Sequence, residues 1–245
     1  IGILTIKEKW ELYFKSVSVK TEDYLSDKFP LKIAKDNIWI NAKTLPSKAL
    51  CTELASLRVG ESLEKGDSLI AFRSSTYDLK KLNKIDSNVS VNTIENLWDI
   101  FSDNDRELEF DFKLLTKRRK SQNLNESNTL IGNQIFIEKG AKISCSILNA
   151  EAGPIYIGKN AEVMEGAVIR GPFAMLDNSV VKMGAKIYGA TTLGPYCKVG
   201  GELNNVVLFG YSSKAHDGFL GNSVVGEWCN LGADTNNSNL KNNYA

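Results

Sequence analysis

The chain has 245 residues, with 30 lysines and arginines against 29 aspartates and glutamates, and a single histidine. This near-neutral balance argues against a general nucleic-acid-binding or membrane-binding surface. The length predicts one or two domains, and no apolar run is long enough to span a bilayer.

No signal sequence opens the chain, because Lys7, Glu8 and Lys9 interrupt its first apolar stretch. The four cysteines are scattered and form no C-x-x-C pair, a pattern typical of small buried residues in a reducing compartment. They are Cys51, Cys145, Cys197 and Cys229. We therefore expect a cytoplasmic protein.

Residues 1–125 alternate between predicted helices and strands, which indicates an α/β domain. Helices are predicted after the capping-box pair Thr5 and Glu8, after Pro46-Ser47 with an end near Gly60, and between Trp98 and Leu115. Strands are predicted over residues 36–41 and 68–72. The polar run 116–127 is interpreted as a solvated linker in preference to a phosphate site. It divides the chain into domains 1–125 and 126–245.

From Ile157 to Asn204 an aliphatic residue or Met recurs at every sixth position. The series is Ile157, Val163, Ile169, Met175, Val181, Ile187, Leu193 and Val199, with mostly small residues four positions after each. A period of six fits neither a helix nor simple strand alternation. It predicts short strands joined by tight corners, three hexads to a coil, with coils stacked at roughly 4.8 Å.

The repeat is interrupted at residues 149–156 and again at Gly200-Gly201, and it resumes near Leu208. One interpretation is a loop that only bulges from the wall. We favour a loop that builds a site, because the single histidine, His216, lies in this second interval.

The chain opens at Ile1 without Met and stops at Ala245 with no helix to cover the last coil. An open solenoid end exposes unpaired strand groups, which proteins normally cap. We therefore expect the chain to be a piece of a longer protein.

Residues 216–233, which read H-D-G-F-L-G-N-S-V-V-G-E-W-C-N-L-G-A, carry a resemblance to a known family. They resemble the acetyltransferase half of the bacterial bifunctional N-acetylglucosamine-1-phosphate uridylyltransferase / glucosamine-1-phosphate acetyltransferase. Residues 96–101, 165–172 and 183–189 look still closer to the sugar nucleotidyltransferases of Bacteroidetes-type bacteria. The resemblance implies a partial nucleotidyltransferase-like α/β domain followed by a left-handed parallel β-helix of hexapeptide repeats.

The same resemblance implies the site residues. His216 falls on the catalytic histidine and Glu202 on the glutamate that orients it. A histidine base takes the amine proton as nitrogen attacks a thioester, and a carboxylate fixes its tautomer. Asn230 falls on a sugar-contacting asparagine, and Asn239 falls on one near the acceptor amine and the thioester.

The motif also departs from the family at three positions. Phe219 stands where a substrate-binding Tyr is expected, Asn204 where a phosphate-binding Lys is expected, and Leu240 replaces a Tyr. These changes favour a different sugar nucleotide, or a site that binds without acetylating. The family's acetyl-CoA pocket uses later coils, beyond Ala245, so cofactor-binding residues stay unassigned.

The implied function is sugar-nucleotide biosynthesis by a sugar-1-phosphate nucleotidyltransferase with an acetyl-CoA-dependent, amino-sugar acetyltransferase-like domain. The implied substrates are a sugar phosphate or amino-sugar phosphate, a nucleoside triphosphate and acetyl-CoA as co-substrate. Mg²⁺ would serve nucleotidyl transfer, and a homotrimer is implied. Because residues 1–124 hold no glycine-rich phosphate loop, nucleotidyl transfer is implied by the resemblance alone.

Two other classes of protein were weighed. Zinc carbonic anhydrases use hexapeptide folds but need several histidine ligands, whereas this chain has one, so no metal site is predicted. A non-catalytic scaffold or sugar-nucleotide-binding subunit is favoured by Asn204 and Phe219, and disfavoured by His216, Glu202 and Asn230.

Overall fold

The structure is a computed structural model that describes residues 1–237 and 239. Two compact units can be distinguished, and each is described by itself. The α/β unit comprises residues 4–95, and the β-helical unit comprises residues 1–3 and the chain from Asn96 onward. The boundary at residues 125/126 stays a prediction about domains. No helix among the described residues is long and apolar enough to cross a membrane.

The α/β unit combines two helices and a short 3₁₀ helix with six strands. The helices are α1 (Ile6–Glu11), the 3₁₀ helix (Asp23–Leu25) and α2 (Lys48–Ser56). The strands are β1 (Asn37–Ile40), β2 (Thr44–Leu45), β3 (Glu61–Lys65), β4 (Ser68–Ser74), β5 (Asn83–Asp86) and β6 (Asn92–Thr93). A mixed sheet has the order β1-β4-β3-β5, in which only β3 and β5 are parallel, and β2 pairs with β6.

The first two predicted helices are confirmed, and side chains cap their first turns. The Thr5 hydroxyl accepts from the Glu8 amide at 3.2 Å, and the Glu8 carboxylate accepts from the Thr5 amide at 2.8 Å. Ser47 caps α2 by accepting from the Leu50 amide at 3.1 Å. The two predicted strands correspond to β1 and β4, whereas β3 and β5 were not predicted.

The β-helical unit begins with two helices, α3 (Asp99–Ser102) and α4 (Asn104–Thr116), which confirm the predicted helical end. Its strands then follow three walls in turn. The first wall holds β7 (Thr129–Ile131), β10 (Ile147–Asn149), β13 (Val168–Arg170) and β16 (Lys186–Tyr188). The second wall holds β8 (Ile135–Ile137), β11 (Ile155–Ile157), β14 (Phe173–Met175) and β17 (Thr191–Leu193). The third wall holds β9 (Lys142–Ile143), β12 (Glu162–Val163), β15 (Val180–Val181), β18 (Lys198–Val199) and β20 (Ser213–Lys214).

Two longer strands, β19 (Glu202–Leu208) and β21 (Phe219–Val225), run through both the first and the second wall. All pairing between coils is parallel, and Ile155 pairs with Phe173, which lies 18 residues later. Three hexads therefore make one coil. These curled parallel sheets confirm the predicted fold class, a left-handed β-helix after a nucleotidyltransferase-like domain.

The hexad series fills the lumen of this coil. Each of the eight predicted residues, from Ile157 to Val199, is at most 1% exposed. Outside the lumen, α4 covers the second wall, where Leu108 and Phe112 pack with Phe136 and Tyr156. The wall is thus apolar on both surfaces, whereas the other two walls are uncovered by helices among the described residues.

The predicted linker is largely exposed, but part of it is tied to the first coil. The Gln122 amide donates to the Ile137 carbonyl at 2.8 Å. Arg119 pairs with Glu138 at 2.7 Å, and the Tyr156 hydroxyl donates to the same carboxylate at 2.7 Å. Burial, together with this hydrogen bond, raises the pKa of Tyr156.

The interruption at Gly200-Gly201 shortens the coil. Lys198 pairs with Ser213, which lies 15 residues later, and Glu202 pairs with Phe219, which lies 17 residues later. Gly201 has a φ of 71°, and a Cβ built there would lie 2.7 Å from the Gly218 carbonyl oxygen. The interpretation of a loop bulging from the wall is therefore wrong, because residues are removed from this corner and the next coil closes down on it.

A matched pair of methionines tests the lumen. Met175 is 0% exposed and Met183 is 70% exposed. We expect Met175→Ala to lower the free energy of unfolding by about 2–5 kcal/mol, because it leaves a cavity in the lumen. Met183→Ala should change it by less than about 0.5 kcal/mol. Denaturant unfolding followed by circular dichroism measures both, and equal effects would contradict the assignment of the lumen.

The cysteines provide a second test, because only the thiolate reacts with disulfide reagents. Burial raises the pKa of the Cys51 thiol to about 11, and burial also raises the pKa of Cys197. Cys145 and Cys229 are exposed. We expect two thiols to react quickly at pH 8 and all four to react after denaturation. A Cys145→Ser variant should lose one fast thiol, and four equally fast thiols in the native protein would oppose the structure.

Candidate functional site

The predicted catalytic residues lie at the corner between the third and the first wall, on adjacent coils. His216 follows β20, and Glu202 begins β19 in the coil below. The Glu202 amide donates to the Gly218 carbonyl at 3.2 Å. The corner that carries His216 therefore stacks directly on the Gly200-Gly201 corner that leads into Glu202.

The His216 side chain is exposed, and its ring makes no hydrogen bond to any residue within 1–237 or to residue 239. Its backbone carbonyl accepts a hydrogen bond from the Lys214 ammonium at 2.6 Å. The backbone of this residue is thus fixed, while both ring nitrogens face outward and are available to a substrate.

Glu202 has a partner that the sequence did not reveal. The Tyr188 hydroxyl, from β16 in the coil below, donates to Oε1 of Glu202. This hydrogen bond is the main cause that raises the pKa of Tyr188. No described residue hydrogen-bonds Oε2, so one carboxylate oxygen is left for a second donor. Direct orientation of His216 by Glu202 stays a prediction.

Three of the predicted substrate-binding residues gather on the first wall around Gly221. Asn204 pairs with Gly221 between β19 and β21. A Cβ built on Gly221 would lie 2.6 Å from Cζ of Phe219 and 2.8 Å from Nδ2 of Asn239. Only a glycine therefore lets the phenyl ring and the amide approach the wall together.

Asn230 lies on a different wall. It forms a parallel bridge with Ser213 on the third wall, and its side chain is exposed. Within this chain the structure therefore separates Asn230 from the group around Gly221. Leu240 lies outside the described residues.

Lys214 is the second residue that sequence reasoning missed. It pairs with Val199, at an inward position of the ladder, and it is 1% exposed. Desolvation lowers the pKa of this ammonium, and the charges of Asp217 and Asp234 oppose that shift. Its signal in the sequence is a lysine at a position where the hexad pattern predicts an aliphatic residue.

Metal ligands are not clustered at this corner or elsewhere in residues 1–237 and 239. No group of three or more histidine, cysteine, aspartate or glutamate side chains there could hold a metal ion. The described residues do not build a Mg²⁺ site, and no step of the chemistry below passes through that ion.

Comparison with known proteins points to one class of enzyme. Residues 1–120 match the family model described as sugar nucleotidyl transferase. The bifunctional protein GlmU of Cyanothece sp. (strain PCC 7425 / ATCC 29141) is 25% identical over 171 residues. That match covers 60% of this chain and 37% of the relative, so the chain spans little more than a third of the relative's length.

The contact between Tyr188 and Glu202 can be tested through the tyrosine. In Glu202→Gln the negative charge that holds the pKa of Tyr188 above its usual range is removed, so this pKa should fall towards that of a free tyrosine. Titration of ring-labelled tyrosine by NMR measures it, with Tyr188→Phe to assign the signal. An unchanged titration in Glu202→Gln would show that the two side chains do not interact.

Proposed function

We propose that this chain is part of a transferase of sugar-nucleotide biosynthesis, whose β-helical unit acetylates an amino-sugar phosphate with acetyl-CoA. The match of residues 1–120 and the similarity to the bifunctional protein GlmU support the class of enzyme. The observation that carries the acetyltransferase proposal is the stacking of the His216 corner on the Gly200-Gly201 corner, with the Glu202 amide bonded to the Gly218 carbonyl.

In this proposal His216 is the general base. Its imidazole removes a proton from the amine as nitrogen attacks the thioester carbonyl, and a carbon–nitrogen bond forms. The carbon–sulfur bond then breaks, and coenzyme A leaves as a thiolate that takes up a proton. Exposure of the ring fits this role, since both substrates must reach it.

Glu202 stabilises the imidazolium from the coil below. Tyr188 holds Oε1 of its carboxylate and leaves Oε2 for a second donor. A carboxylate that accepts from both sides is fixed in orientation, and its charge favours the protonated histidine. We propose that His216 is this second donor when substrate is bound.

The first wall supplies the sugar-phosphate contacts in this proposal. Asn204 and Asn239 offer neutral amides, and Phe219 offers an apolar ring. The cation in register beside Glu202 is Lys186, which is exposed one coil below. We propose that Lys186 supplies the charge for the phosphate that Asn204 lacks.

We further propose a homotrimer, because Asn230 and the group around Gly221 lie on different walls. Packing the third wall of one copy against the first wall of the next would bring them together. Nucleotidyl transfer to a sugar phosphate from a nucleoside triphosphate rests on the family match alone. The closer resemblance to sugar nucleotidyltransferases of Bacteroidetes-type bacteria and a cytoplasmic location stay predictions.

A non-catalytic sugar-nucleotide-binding subunit is the second candidate. Its support is the pair of departures at Asn204 and Phe219, which remove a charge and a hydroxyl from the first wall. Binding of a sugar nucleotide without release of coenzyme A would favour it.

The test is release of free thiol from acetyl-CoA by the full-length protein with a panel of amino-sugar phosphates. We expect His216→Ala to lower kcat by about 10²–10⁴-fold, as loss of a general base does. Lys198→Ala, an exposed change on the third wall, is the matched control and should keep wild-type turnover.

Turnover that survives in His216→Ala would remove the histidine from the mechanism. No turnover with any acceptor would remove the acetyltransferase proposal for that panel. Pyrophosphate release from a nucleoside triphosphate and a sugar phosphate, measured in parallel, tests the nucleotidyltransferase proposal separately.

A further inference from the structure

The β-helix contains one charged side chain where its pattern calls for an aliphatic one. Lys214 lies in register with Val199, which is fully buried in the lumen, and Lys214 itself is 1% exposed. Burying an ammonium without a partner is very unfavourable, so such a residue is retained only where its donors are satisfied. Its surroundings therefore show what it does.

The Lys214 ammonium reaches two backbone carbonyls. It donates to the His216 oxygen at 2.6 Å and to the Gly200 oxygen at 3.2 Å. Gly200 belongs to the shortened corner of the coil below, whereas His216 belongs to the corner above. One side chain thus bridges the two corners whose stacking forms the candidate site.

Charged neighbours support a protonated amine at this place. Asp217 and Asp234 are the carboxylates that act on the ammonium, and both favour its charge. They oppose the desolvation that lowers the pKa of Lys214. The Gly200 amide also donates to the Lys214 carbonyl at 2.8 Å, so backbone and side chain of Lys214 both bind the same corner.

We propose that Lys214 is a positioning residue, which clamps the His216 corner to the Gly200 corner from inside the lumen. Its catalytic consequence rests on the proposed function, in which His216 is the base. Lys214 transfers no proton in this role, because its ammonium is buried and directed at carbonyl oxygens. Without the clamp, residues 215–218 lose their internal anchor, and the histidine ring no longer has one orientation above Glu202.

The variant for the test is Lys214→Met, which keeps an unbranched apolar stem in the lumen and removes the ammonium. Its matched control is Lys198→Met, because Lys198 is exposed on the outer surface of the same wall. Amide hydrogen exchange of residues 215–218 and the NMR signals of the single histidine ring are measured in both, with acetyl transfer as a third readout.

We expect exchange in residues 215–218 to accelerate at least about tenfold in Lys214→Met, as for a segment that opens locally. The His216 ring signals should shift and broaden. Where acetyl transfer is present, kcat should fall by about 10–100-fold with KM nearly unchanged, since orientation of the base is lost rather than substrate binding. Lys198→Met should resemble wild type in all three.

Unchanged exchange and unchanged ring signals in a folded Lys214→Met protein would overturn the clamp. Faster exchange in a protein that has no acetyl transfer would uphold the clamp and reject the proposed function. A measurement on the wild type covers the case of a variant that does not fold. In ¹⁵N-lysine-labelled protein, a buried, hydrogen-bonded ammonium should give a solvent-protected signal, and the absence of any such signal would also overturn the clamp.

Discussion

The lumen of the β-helix is the constraint on which the rest of the structure depends. Each coil must place one apolar side chain per wall into a space shared with the coils above and below, as Ile157, Met175 and Leu193 do on the second wall. Backbone hydrogen bonds to the next coil then hold each strand in a fixed register. Because the register is fixed, outward side chains rise in straight columns, and distant parts of the sequence meet on them.

The candidate site arises where this repeat is shortened. A standard coil would separate the Glu202 and His216 corners by a full set of three hexads, but the loss of residues at Gly200-Gly201 lets the upper corner rest on the lower one. Shortening also changes what can fill the lumen there. Lys214 occupies an aliphatic position, and its ammonium satisfies two carbonyls that a regular corner would direct elsewhere.

The sequence predicted the β-helix well because its signal is local and repeated: every hexad carries the same inward residue. The helix caps at Thr5 and Ser47 were predictable for the same reason, since donor and acceptor lie three residues apart. Strand β5 was missed because all four of its residues are exposed and carry no periodic apolar signal. The contact of Tyr188 with Glu202 was missed because only coil stacking brings these residues together.

The departures from the family motif affect binding more directly than proton transfer. The positions of His216 and Glu202 follow from coil stacking and from the hydrogen bonds of Lys214 and Tyr188, and none of these involves the altered residues. Phe219 and Asn204 point outward around Gly221, where a change alters only what can dock on the wall. In the proposed function, the same base would therefore serve a different acceptor. A scaffold would have no need of a buried ammonium that holds the histidine corner in place.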